Sequence, residues 1–297
     1  MSLTFFQSSR LPVECAPYIF IVVAICFSYF PSLLQADTIA VYVEPPTIES
    51  SSFAGVTTET FDSTSPGVYA SDFASVIGTY TGTPSNPFAI VAADQYGGAG
   101  GTGNYFAVGV ESNSSAVVTL NLYSEANYFG FWWSAGDANN TLTFLQDGVA
   151  LATFSTANLV GLLPYSPNTT VIAIDGSVYS TMDYYGNPGT GSDSWEPFAY
   201  VDIIANGLQF NQVQFSNSIN TGFETDNHSV AQGVADPSQG DTIVDDVSFT
   251  AEAETPEPAS WSLVLSGIAA VSLSVYRRRT TRSGPELSPI HLTVPVL

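Results

Sequence analysis

Between residues 141 and 155 the chain reads Thr141-Leu142-Thr143-Phe144-Leu145-Gln146-Asp147-Gly148-Val149-Ala150-Leu151-Ala152-Thr153-Phe154-Ser155. Two runs rich in apolar and β-branched residues flank an Asp-Gly pair. That pair accepts the positive φ angles of the tight turn whose twist matches paired strands, so the segment predicts a β-hairpin. Immediately upstream, Tyr128 to Trp133 is a continuous aromatic run, the pattern of a strand covered on both faces. Further upstream, Val118, Leu120 and Leu122 alternate with Val117, Thr119 and Asn121, the period-2 signature of a strand with one buried face.

The same signals recur outward from this centre. Thr57 to Asp62, Val76 to Thr81, Tyr105 to Val110 and Ala116 to Leu122 read as strands. Phe198 to Ile204 and Leu208 to Phe215 flank Ala205-Asn206-Gly207 and predict a second hairpin, and Val230 to Val234 and Ile243 to Thr250 complete the set. No long window between residues 50 and 250 carries a helical 3.6 period. Ten to twelve strands joined by Gly- and Asn-rich turns predict an all-β fold, a two-sheet jelly-roll-like β-sandwich over 37–254.

The chain has 297 residues and a formal net charge of −22. Its five basic side chains are Arg10, Arg277, Arg278, Arg279 and Arg282, so none lies in the predicted sandwich, whereas 25 of the 27 acidic residues fall between 37 and 258. Such a field repels nucleic acid and attracts cations. It also lacks the Lys or Arg needed to clamp phosphate. Both cysteines, Cys15 and Cys26, precede residue 37, so the domain has no disulfide, thiol nucleophile or thiolate metal site.

The two ends carry transport signals. Arg10 precedes an apolar run, Tyr18 to Phe30, broken by Pro31, and Leu34-Gln35-Ala36 offers a small residue for cleavage. Residues 1–36 therefore read as a signal peptide, the alternative being a retained anchor. Near the other end, Ala259 to Tyr276 is apolar and, as a helix, would span about 27 Å, just under the hydrocarbon core of a bilayer. Arg277, Arg278 and Arg279 follow it as a cytoplasmic stop. Pro256-Glu257-Pro258, this transmembrane helix and the arginines together resemble the PEP-CTERM sorting signal of exosortase-dependent bacterial surface proteins. The resemblance gives 255–282 as the sorting signal and implies an exosortase-type processing enzyme as partner. It leaves 283–297 as an unstructured tail, longer than the family's usual ending.

Two internal blocks extend the resemblance. Phe131-Trp132-Trp133-Ser134-Ala135-Gly136-Asp137-Ala138-Asn139-Asn140-Thr141-Leu142-Thr143-Phe144 looks like an aromatic-strand block of the same surface proteins, and Gly222-Phe223-Glu224-Thr225-Asp226-Asn227 looks like their Phe-Glu-x-Asp-Asn block. In those proteins the second block usually stands just before Pro-Glu-Pro, whereas here a further predicted strand intervenes.

Chemistry can be narrowed by elimination. His228 is the only histidine of the domain, and its setting, Asp226-Asn227-His228-Ser229, reads as a turn rather than a catalytic triad. One histidine cannot make a histidine metal site. Carboxylates that could pair for glycoside hydrolysis exist in Glu196, Glu224 and Asp226, with no spacing that sets a pair apart. The glycine-rich stretch from Asp94 to Asn104 has no lysine and no helix pattern after it, so it reads as a loop lying against the sheet rather than a phosphate cradle. Asp183 to Pro197 is a second loop, whose Tyr184, Tyr185 and Trp195 could stack on sugar rings or fold back on the sandwich. Ile243 to Phe249 resembles the last strand of carbohydrate-binding jelly rolls, in which an Asp holds a structural calcium ion. That resemblance implies Asp245, Asp246 and, near the first strand, Asp62 as ligands. The expected function is a non-catalytic β-sandwich displayed at the cell surface. The alternative is a carbohydrate-binding module or glycosidase acting on envelope or matrix polysaccharide.

Overall fold

The computed structural model describes residues 38–109, 117–217 and 221–237, all within the compact unit Met1–Thr250. The signal peptide, the strand expected at 243–250, Asp245, Asp246, the sorting signal and the tail lie outside the described residues. In chain order the strands are β1 (Thr38–Val43), β2 (Thr57–Glu59), β3 (Gly67–Tyr69), β4 (Phe73–Ala74), β5 (Gly78–Thr81), β6 (Phe88–Ala92), β7 (Asn104–Gly109) and β8 (Val117–Ala126). They continue as β9 (Tyr128–Ser134), β10 (Thr141–Gln146), β11 (Val149–Ser155), β12 (Thr170–Ile172), β13 (Val178–Ser180), β14 (Ala199–Asn206), β15 (Phe210–Ser216) and β16 (Gly222–Ala231).

These strands form two main antiparallel sheets. The larger has the order β1-β14-β9-β16-β7-β6-β3, with β2 also on β16, and the smaller has the order β11-β10-β15-β8-β5-β4. Phe129, Phe131, Trp133, Val201, Ile203, Phe106 and Phe223 of the larger sheet share one core with Leu142, Phe144, Phe154, Val213, Phe215 and Leu120 of the smaller. The all-β expectation holds, and the sheets are antiparallel throughout. Among the described residues, no helix is long and apolar enough to cross a membrane.

The Asp147-Gly148 hairpin is present. β10 and β11 pair across it, and both turn residues take positive φ, 52° and 81°. β9 is buried along its whole length, as its aromatic run implied, because the larger sheet is covered on both faces. The same cover hides β1 from pattern reading: Ile39 to Val43 are all buried, so no alternation marks the strand.

The second expected hairpin is a correction. β14 and β15 do not pair; β14 lies between β1 and β9, whereas β15 lies between β10 and β8 in the other sheet. The Ala205-Asn206-Gly207 turn is a crossing between sheets, and the two strands reach the common core from opposite sides. A short helix missed by the sequence, α1 (Thr156–Leu162), leaves β11 directly. Ser155 caps it by accepting from the Asn158 N–H, while the Asn158 side chain accepts from the Ser155 N–H. Its seven residues are too few to show a period.

The stretch around His228 is also corrected, from turn to strand. Gly222–Ala231 is one strand with a register shift between Asp226 and Ser229, and Asn227 sits in the left-handed region at φ 50°. This bulge inserts one residue and reverses the parity of the strand. Asp226 keeps to the outer face, and His228 turns into the core.

Candidate functional site

His228 is fully buried among Phe61, Phe106, Phe129 and Phe215, stacked on the last with ring centroids 5.0 Å apart. Its Nδ1 is 2.7 Å from the Tyr80 hydroxyl, and its Nε2 is 2.8 Å from Thr225 Oγ1. Burial lowers its pKa to about 3, so the ring is neutral. It is a packed, hydrogen-bonded core residue.

The titratable chemistry lies instead on the outer face of the larger sheet. Tyr42, Asp202, Gly130, Ser229 and Thr58 stand in one cross-strand row over β1, β14, β9, β16 and β2. Gly130 leaves the space into which two tyrosines from the same face reach. Tyr128 Oη donates to Asp202 Oδ1 at 2.6 Å and lies 2.7 Å from Ser51 Oγ. Tyr200 Oη is 2.8 Å from Ser229 Oγ, which is 2.7 Å from Thr58 Oγ1. Burial pushes the Asp202 carboxyl well above the usual carboxylate range, outweighing the Tyr128 hydrogen bond, and Glu44 adds to the rise. Glu44 itself is raised by burial, although its Oε1 accepts the Ser52 N–H at 2.6 Å. A lone acid within the apolar strand Ala199-Tyr200-Val201-Asp202-Ile203-Ile204 is the one sequence signal for this layer.

The glycine-rich loop covers the neighbouring part of the face, as expected. Its amides are taken up by carboxylates from three separate segments. Ala99 N–H donates to Asp226 Oδ2 at 2.8 Å, Asn104 N–H donates to Asp62 Oδ1 at 3.0 Å, and Gly100 N–H donates to Glu49 Oε2. Asp226 Oδ1 also accepts the Asn227 N–H at 2.7 Å. Burial raises Asp226 to about 8 against both amide bonds, helped by the charges of Asp62 and Glu49. Asp226 is therefore a clamp on the loop. Asp62 is exposed, with one carboxylate oxygen already engaged by Asn104.

Of the three candidate glycan-stacking aromatics, Tyr184 takes the alternative of folding back on the sandwich. It is buried, with its hydroxyl donating to the Glu44 carbonyl at 2.9 Å, because the turn at 181–184 folds its ring onto the sheet. Tyr185 is half-buried and donates to the Leu163 carbonyl at 2.6 Å. Trp195 is 75 % exposed. Its ring centroid lies 4.8 Å from that of Tyr165, and Tyr165 packs edge-on against Tyr185, also at 4.8 Å. Sequence reading missed Tyr165, since 30 residues separate it from Trp195 and only the tertiary fold joins them.

Glu196, Glu224 and Asp226 do not form an isolated pair. Glu224 and Asp226 share the outer face of β16, while Glu196 is half-buried beside Asp137, whose charge raises it after burial. An open depression of about 510 Å³, lined by Asn127, Gln146, Gly207, Leu208 and Gln209 among others, contains neither carboxylate nor imidazole, so it is not where acid–base chemistry would occur. No protein-family model matches the sequence, and no curated protein matches it.

Proposed function

We propose that this chain is an exported, membrane-sorted surface protein whose jelly-roll-like sandwich is displayed outside the membrane as a non-catalytic module. The observation that carries this reading is an order in the sequence. A domain without a single Lys or Arg is followed by Pro256-Glu257-Pro258, an apolar run and Arg277 to Arg279. This arrangement holds the arginines inside and leaves the acidic domain outside. The burial of His228 supports the non-catalytic part, since it withdraws the domain's one imidazole from chemistry. An exosortase-type enzyme would cut near Pro256 to Pro258 and free the sandwich or pass it to envelope polymer. The test is a C-terminal tag in a host with such an enzyme. Separation of tag from sandwich is expected, and neutralising Arg277 to Arg279 should impair it. A tag that stays joined in the wild type overturns the reading.

A second reading, binding of extracellular polysaccharide, is favoured by the exposed Trp195 ring packed at a tilt beside Tyr165. Aromatic faces of this kind carry the apolar side of a sugar ring, and the acidic surroundings select neutral over anionic polymers. A glycan array separates the classes. Binding lost in Trp195→Ala supports the module, turnover supports a glycosidase, and neither supports display alone. Calcium at Asp62, Asp245 and Asp246 belongs to the jelly-roll reading. Melting at constant ionic strength, with and without calcium, tests it through loss of the calcium-dependent rise in Asp246→Asn.

A further inference from the structure

Where β9 ends and β16 begins, oxygen-bearing side chains meet at one corner of the larger sheet. Ser134 pairs directly with Glu224, so their side chains share the outer face. Both are sealed, at 0 % and 3 % exposure. The Glu224 carboxylate lies back over Gly222, since a Cβ on that glycine would overlap Oε1. The Gly222 N–H donates to the Asp137 carboxylate, which brings Asp137 and Glu224 to the same glycine. Glu196 stands at the rim, close enough to feel the Asp137 charge.

Two neutral groups, one at this corner and one in the turn beyond it, are buried without a hydrogen-bond partner. Ser134 Oγ is fully buried and has no hydrogen-bond partner. Asn140 belongs to the same turn, its N–H donating to the Asp137 carbonyl at 3.2 Å. It too is fully buried, with neither Oδ1 nor Nδ2 partnered. Orphaned polar atoms in an interior cost stability, and so does a buried carboxylate in a domain with no Lys or Arg.

We propose that this corner binds one hard divalent cation, calcium. Asp137, Glu224, Ser134 Oγ and Asn140 Oδ1 would be donors, and main-chain carbonyls and water would complete the shell. Among the described residues no three Asp, Glu, His or Cys side chains converge as a ready-made metal cluster. The site therefore depends on mixing two carboxylates with neutral oxygens. Calcium accepts six to eight such ligands in flexible geometry, whereas magnesium demands a tight octahedron and keeps its water. With no imidazole or thiol at this corner, the softer transition metals are disfavoured. The ligand set shares no residue with Asp62, Asp245 and Asp246, and it does not depend on export or glycan binding.

The probe is terbium, which replaces calcium and is sensitised by nearby indoles, here Trp132 and Trp133 on β9. With the full-length chain, tryptophan-excited terbium emission should saturate, and calcium should displace it at lower concentration than magnesium. Glu224→Gln and Asp137→Asn should each weaken terbium at least tenfold, with Asp147→Asn, in the hairpin turn between β10 and β11, unchanged. Ser134→Ala removes only an unpartnered hydroxyl; it should keep the wild-type circular dichroism spectrum and still weaken binding, which covers the case in which an acidic variant fails to fold. Emission that does not saturate, or that calcium does not displace, overturns the proposal. So does wild-type affinity in both Glu224→Gln and Asp137→Asn, or loss of the signal in Asp147→Asn.

Discussion

Replacing Gly130 with alanine tests the buried tyrosine layer directly. A Cβ at this position would overlap the Tyr128 hydroxyl oxygen and stand 2.8 Å from that of Tyr200. Both rings are fully buried, so neither can swing into solvent. To reach ordinary contact the Tyr128 oxygen would have to retreat by roughly 1 Å or more. That breaks its bonds to Asp202 at 2.6 Å and Ser51 at 2.7 Å. Losing buried partners costs about 1–3 kcal/mol each, and overpacking adds about 1–3 kcal/mol. Alanine's better strand propensity returns less than about 1 kcal/mol. The net expectation is a loss of about 2–9 kcal/mol, a large part of a domain's usual margin. Denaturant unfolding followed by Trp132 and Trp133 fluorescence measures it. Gly161→Ala, in α1 with nothing within 4 Å of the added Cβ, is the control and should gain about 0.5–1 kcal/mol. The mechanism also requires non-additivity. Tyr128→Phe removes the obstructing oxygen, so adding Gly130→Ala to it should cost only about 1–2 kcal/mol more. A Gly130→Ala variant within about 0.5 kcal/mol of wild type, or strict additivity with Tyr128→Phe, would refute this account of Gly130.

Further outcomes follow from the same geometry. Asp226 titrates at about 8 in the fold against 3.8 free, so its stabilising contribution is complete below pH 4 and is lost as pH rises through 8. His228, lowered to about 3 from 6.5, contributes above pH 6.5 and loses that contribution as pH falls. Between pH 6.5 and 8 the buried acids act unopposed. Stability there should fall by about 1.4 kcal/mol per pH unit for each acid titrating, as read from denaturation midpoints in matched buffers. A flat profile over that window would contradict the assignment. His228→Leu leaves the Tyr80 and Thr225 hydroxyls buried without their ring partner and should cost about 2–5 kcal/mol by the same measurement. Ser155→Ala removes one half of the cap on α1 and should cost about 1 kcal/mol.

Much of the sheet content was legible because local patterns report local burial. Asp147-Gly148 named its own turn, since only residues tolerant of positive φ fit there. The aromatic run of β9 announced a doubly covered strand, and Val118 and Leu120 announced a half-covered one. Strand β1 shows where pattern fails, because cover on both faces removes the alternation that marks a strand. The candidate sites were read in part. Tyr184 takes the inward of its two alternatives and Trp195 the exposed one, and the Tyr165 ring beside Trp195 carries no sequence signal.

By itself the sequence determined the β character and an acidic domain with no Lys or Arg between residues 37 and 276. Each of these depends on residue type and short-range spacing. Tertiary structure alone decided that β14 and β15 part into different sheets, because a turn's residues do not say which strand will supply the next hydrogen-bonding edge. It alone decided that His228 faces the core, because a one-residue bulge at Asn227 reverses which side chains point inward. It also brought Ser134, Asp137, Glu196 and Glu224 to one corner, since side chains from three segments become neighbours only when strands pair and loops close over them.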